Sequence, residues 1–175
     1  MAMVKIYYFL SFFLFCSCDK LLNDDVLSLN KKDIIFPMLR LDGCFFEPYG
    51  AENKCSVIIL YRNGVYLHWN DGVEISELNN ISNYFNNNEL LHKIKNVKFA
   101  WGIVKIENNI IKTERWYPSQ RPLKAYIKSG IILNDSTFVL NSSIRSDGSD
   151  FETISQTYYF KKYSPKPDST NSFVR

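Results

Sequence analysis

Histidine is nearly absent from this chain, and much of the side-chain chemistry of catalysis goes with it. His68 and His92 are the only two in 175 residues. Neither stands at metal-ligand spacing from a cysteine or carboxylate, so each is read as structural or exposed and no metal site is expected. No Gly-x-Ser-x-Gly elbow accompanies the serines. The 7 glycines are scattered singly and form no phosphate-cradling loop. Carboxylates such as Glu74 and Glu77 fall on the outside of an expected helix, a solvated face. The expectation is a protein that is not an enzyme and takes no cofactor. An excess of one charge sign is lacking too, since 21 Lys and Arg oppose 18 Asp and Glu. Nucleic-acid binders carry a clustered basic face, so no nucleic acid is expected. No apolar run reaches the roughly 20 residues of a membrane-spanning helix. The 4 alanines beside 17 asparagines and 17 isoleucines look like codon bias. Asn86-Asn87-Asn88 is accordingly read as a loop.

What is present begins at the amino terminus. Lys5 is followed by the uncharged, almost wholly apolar run Ile6 to Phe15. Its length suits the core of a secretion signal. Phe15-Cys16-Ser17-Cys18 then resembles the lipobox of bacterial lipoproteins, with Phe15 in place of the usual leucine. The resemblance implies cleavage after residue 17 and acylation of Cys18, with a diacylglycerol on its sulfur and a palmitate-type chain on its amine. Each buried CH₂ contributes about 0.8 kcal/mol, so several chains would anchor the protein durably. An ordinary secretion signal without lipid is the other reading. The expected organisation is 1–17 lipoprotein signal peptide, 18–37 anchor and tether, 38–163 folded domain and 164–175 disordered tail. The expected location is the cell envelope at the outer membrane. Cys44 and Cys55 remain, and in an oxidising compartment they form either a bridge or two free buried thiols.

The folded part reads as strands interrupted once by a helix. Strands are expected at Leu39 to Glu47, Lys54 to Arg62 and Val65 to Trp69. Asn63-Gly64 is read as a type I′ hairpin turn pairing Leu60 with Leu67 and Ile58 with Trp69. Asp71 and Glu74 have the spacing of a capping box, and Ile75, Leu78, Ile81 and Phe85 recur at helical period, so helix is expected over 72–95. A second hairpin joins Val97 to Glu107 with Ile110 to Tyr117 around Asn108-Asn109. It sets Ile106 against Ile111 and Trp101 against Trp116. It also opposes Lys105 and Lys112, a like-charge pair. Leu123 to Leu133, Thr137 to Arg145 and Phe151 to Tyr163 supply three more strands. The fold class is mainly β, an antiparallel eight-stranded meander barrel with one helical insertion after the third strand.

Four segments, Leu41 to Phe46, Leu60 to Val65, Trp101-Gly102 and Gly130 to Thr137, resemble the lipocalin-like (calycin-type) domains of small bacterial lipoproteins. The Gly-x-Trp of true lipocalins is missing from the first strand, and the helix falls earlier than in that family. The resemblance implies a fold and a compartment, and no catalytic residues.

The remaining signal is aromatic. Trp101 and Trp116, edged by Arg115 and Arg121, form a candidate platform for a small ligand. The same rings serve a barrel wall or a filled core. Two function classes follow. One is a non-catalytic binding module for a small amphiphilic ligand. The other is an accessory subunit of an envelope assembly that binds a protein partner.

Overall fold

The computed structural model of the chain describes residues 23–35, 38–50, 53–80, 87–119 and 121–175. The expected signal peptide and Cys18 lie outside the described residues. Eight strands follow in order: β1 (Gly43–Tyr49), β2 (Lys54–Leu60), β3 (Val65–Glu74), β4 (Trp101–Glu107), β5 (Ile110–Tyr117), β6 (Lys124–Asn134), β7 (Thr137–Arg145) and β8 (Glu152–Lys162). Each pairs antiparallel with its neighbour in sequence, and β1 closes on β8 with Phe45 opposite Phe160. The architecture is the expected meander barrel, with its helical insertion after the third strand. Closure gives every strand two neighbours.

The insertion differs from expectation in detail. Residues 71–74 are strand and do not begin a helix. They extend β3 past an irregularity opposite Cys55, where Gly72 takes φ +64°, and Glu74 pairs with Lys54. A 3₁₀ turn covers Ile75–Asn80 and buries Leu78. Ile81 and Phe85 lie outside the described residues. The regular helix is α1 (Asn88–Lys95), capped by Asn87, whose side chain accepts from the Glu89 and Leu90 amides at 3.0 and 3.2 Å. A second 3₁₀ turn, Lys98–Ala100, leads into β4.

The Asn108-Asn109 hairpin keeps its expected register, with Ile106 opposite Ile111 and Val104 opposite Thr113. The Lys105–Lys112 opposition is relieved by an ion pair from Lys105 to Glu107 at 2.9 Å. The other hairpin is shifted by one residue: Leu60 faces Tyr66 and Ile58 faces His68. Its turn closes with Gly64 donating to the Tyr61 carbonyl and Tyr61 donating to the Val65 carbonyl. Gly64 alone is left-handed there, at φ +75°. This is a turn with a trailing glycine bulge, a loop that Asn-Gly serves as well as type I′.

Two apolar layers result. The inner one fills one end of the barrel with side chains from every strand, among them Phe45, Ile58, Tyr66, Val104, Ile111, Ile132, Phe138 and Tyr158. Phe138 stacks on Tyr158 with ring centroids 4.8 Å apart. Leu39 joins this layer and plugs that end. The outer layer lies on the reverse face of β2 to β5, where Val57, Ile59, Leu67 and Trp101 would otherwise meet water.

The 24–35 segment and the carboxy-terminal segment cover the outer layer. The 24–35 segment runs along the wall as a strap, and Ile34 donates to the Arg62 carbonyl at 2.7 Å. The 164–175 segment, expected to be disordered, is packed. Val174 is only 6 % exposed, and Lys166 donates to the carbonyls of Leu41 and Leu60. Its polar composition is met by local partners, including the Lys95–Asp168 ion pair at 2.6 Å. No bridge joins Cys44 and Cys55. Both are buried free thiols, because the register sets Pro48, not Cys44, opposite Cys55. Burial pushes them up to about 12 and about 11 respectively.

A candidate ligand cavity inside the barrel

Inward side chains change character along the barrel. On β2 they run Leu60, Ile58, Ser56, and on β3 Tyr66 then His68. On β5 they run Ile111, Thr113, Arg115, Tyr117, and on β8 Tyr158 then Gln156. The apolar end is filled. The polar end opens into a cavity of about 720 Å³, well within the usual range for small-molecule sites.

Its polar wall is a connected set. Arg115 is 6 % exposed, and its guanidinium is pinned from several sides. One of its Nη atoms donates to the Phe99 and Trp116 carbonyls at 3.2 and 3.1 Å. Its plane lies 3.9 Å over the Tyr117 ring. Its second Nη sits 3.4 Å from His68 Nε2, which also meets Ser56 Oγ at 3.1 Å. Burial, then Arg115 and Lys128, hold His68 well below the ordinary histidine range. The imidazole is therefore neutral, and both neighbours face Nε2 as donors, which places its proton on Nδ1. Across the cavity Lys128 donates to Gln156 Oε1 at 2.7 Å, and Gln156 in turn reaches Glu47 Oε1 at 3.4 Å. Burial raises the Glu47 carboxyl, and Lys128 and Gln156 pull the other way.

The opposite wall is apolar. Leu90 and Ile94 of α1 and Val97, Phe99 and Ala100 after it form a cover beside Trp69. Gly102 makes no space for a ligand. A Cβ there would lie 2.4 Å from the Tyr66 ring and 2.3 Å from the Glu114 carbonyl, so its missing side chain admits the inner core.

Of the four residues expected around a ligand, Arg115 alone lines the cavity. Trp101 and Trp116 both point outward, as their membership of the outer layer requires. Trp101 Nε1 donates to the Ile94 carbonyl at 3.1 Å and its ring stacks on Tyr61. Trp116 Nε1 donates to the Asp25 carbonyl at 2.6 Å, and Lys98 lies over its ring. Arg121 is exposed in the β5–β6 loop. Sequence reasoning missed His68, Lys128, Gln156 and Glu47. The signal for them was parity, since each falls on the inward alternation of its strand.

Compared with protein-family models, curated proteins and solved structures, the chain matches none. Among the described residues no cluster of three or more metal-ligating side chains occurs. No described helix is long and apolar enough to cross a membrane.

Proposed function

We propose that this chain is an envelope lipoprotein whose barrel binds one small amphiphilic molecule. The observation that carries the reading is the cavity. About 720 Å³ of space lies between a hydrogen-bonded polar wall and an apolar cover, in a barrel plugged at its far end. A structural barrel of this size fills with its own side chains. The lipid half of the proposal rests on the Lys5 to Cys18 pattern in the sequence. It is supported by the strap, whose Asp24 and Asp25 hold the Leu123 and Ala125 amides beside the open end of the barrel. The chain between Cys18 and Asp24 spans about 20 Å at most. An acylated Cys18 would thus keep the cavity's end of the barrel close to the membrane.

A second reading has its own observation. Ile110, Ile131 and Leu133 are 45 %, 42 % and 55 % exposed, and Ile110 is paired with Ile131. That patch suits a protein partner in an assembly. Native mass spectrometry of the full chain, purified from the envelope that makes it, tests both. A retained small molecule supports the binding module. A retained protein with an empty barrel would replace it by the assembly role. For the anchor, Cys18→Ala should release the protein from the membrane fraction; unchanged retention of that variant, or absence of acyl mass on Cys18 of the wild type, sinks the lipoprotein claim.

A further inference from the structure

The cavity holds more positive charge than its own acids answer. Lys93, Arg115 and Lys128 line it; Lys93 is paired with Glu89 at 2.8 Å, and among the described residues neither Arg115 nor Lys128 forms an ion pair with a carboxylate. Glu47, the one carboxyl in the lining, is hydrogen-bonded to the set through Gln156 and feels the Lys128 charge without an ion pair to it. Buried cations are ordinarily paired, because removing them from water is costly. Arg115 is also held still. Carbonyls occupy one Nη and Tyr117 covers one face. A guanidinium fixed in this way loses little freedom on meeting an anion, which is what a preorganised site provides.

We infer that the barrel's ligand carries a monoanionic head group, a carboxylate seated between Arg115 and Lys128, with its hydrocarbon lying against Leu90, Ile94 and Phe99. This rests on the binding-module reading and names the ligand class for the same cavity. With Lys93 answered by Glu89 and Glu47 ionised, Arg115, Lys128 and one carboxylate leave a single positive charge to be matched. The donor count agrees. One Nη is occupied by the Phe99 and Trp116 carbonyls and the other gives one N–H to His68, so Arg115 keeps one Nη N–H and its Nε–H, which with the Lys128 ammonium suit the two oxygens of a carboxylate. The apolar cover lies across from these donors, which gives an amphiphile one orientation.

The test uses the full chain in phosphatidylcholine nanodiscs, titrated calorimetrically with dodecanoate, dodecan-1-ol and dodecyl phosphate, with empty discs subtracting bilayer partition. Dodecanoate should bind about tenfold or more tighter than the alcohol, the preference expected if one charged contact contributes about 1.4 kcal/mol. Arg115→Met should bring that ratio close to one. If Arg115→Met does not melt cooperatively, Lys128→Met carries the same comparison. Equal binding of acid and alcohol overturns the head-group assignment and leaves the binding module standing. So does a preference that survives both substitutions. Tighter binding of dodecyl phosphate than of the acid overturns the monoanion. If a cooperatively folded wild type takes up none of the three, the cavity reading itself fails, and this inference with it.

Discussion

The carboxylate of Glu114 is held by the backbone and hydroxyl of Ser28, a residue 86 positions away. Ser28 donates to Glu114 Oε1 through its amide at 2.7 Å and its Oγ at 2.9 Å, and the Leu29 amide donates to Oε2 at 2.7 Å. Ser146 Oγ completes the set. Glu114 is fully buried, on the outer side of β5, so the strap supplies what water would otherwise supply. Glu114→Gln turns an amide NH₂ toward some of these donors. It should cost about 2–4 kcal/mol in urea denaturation, from charged hydrogen bonds lost and donors left unpaired. Hydrogen exchange at the Ser28 and Leu29 amides should accelerate more than exchange inside the barrel. Equal acceleration everywhere would mean that the strap is not a separate cooperative unit.

Gly64 joins the same strap to the β2–β3 turn. At φ +75° a Cβ there would sit 2.4 Å from the Lys32 carbonyl oxygen. Gly64→Ala should therefore cost more than the roughly 1 kcal/mol of the backbone conformation alone, because the strap must move as well. A variant as stable as the wild type by thermal melt would show that the strap does not press on this turn.

Trp101→Ala should cost about 3–5 kcal/mol of stability, as for other buried tryptophans. Its ring packs on Tyr61 outside the cavity, and its indole N–H caps the carbonyl of Ile94, a residue of the cover, without itself lining the cavity. Ligand affinity measured below the melting transition should change far less than it does for Arg115→Met. The opposite ranking would return Trp101 to the binding site.

The contrast between these residues marks what was legible in the sequence. Strand order and closure followed from spacing and turns, and Thr137–Arg145 coincides with its expected bounds. The Asn108-Asn109 register was legible because no residue in that loop could be assigned differently without breaking the alternation of Ile106 and Ile111. Asn63-Gly64 was not, since two loop types fit the same dipeptide and differ by one residue. The cavity was hidden for a different reason. Period two separates the faces of a strand and does not say which is inward. On β2 to β5 both faces are apolar, because the 24–35 and 164–175 segments cover the outside, so Trp101 and Trp116 looked like a lining. Asn87 as the helix cap was masked by the Asp71–Glu74 spacing, which β3 uses for a bulged extension.

The pH dependence of stability isolates His68. In the unfolded chain it takes a proton near its ordinary value of 6.5, while in the barrel it stays neutral to well below that. Below pH 6.5 the unfolded state therefore binds the extra proton. Stability is complete above that pH and falls as the pH drops, by up to about 1.4 kcal/mol per pH unit. The groups facing the imidazole fix this sign. Arg115 from β5 and Lys128 from β6 repel a second charge, and Ser56 from β2 offers an O–H to Nε2. Glu47 on β1 acts in the opposite sense. Its carboxyl is raised by burial, so the folded state keeps a proton above 4.5 that the unfolded state has lost, and stability falls as the pH rises through that window. Asp25, lowered by Arg145, enters only below 3.8, where its contribution is lost on acidification. His68→Gln keeps an acceptor for Ser56 and Arg115 and removes the titration. Urea midpoints taken between pH 7.5 and 5 should then decline less steeply for the variant than for the wild type, with Glu47 common to both curves. Parallel curves would place the titrating group elsewhere and leave His68 charged inside the barrel, which the adjoining guanidinium argues against.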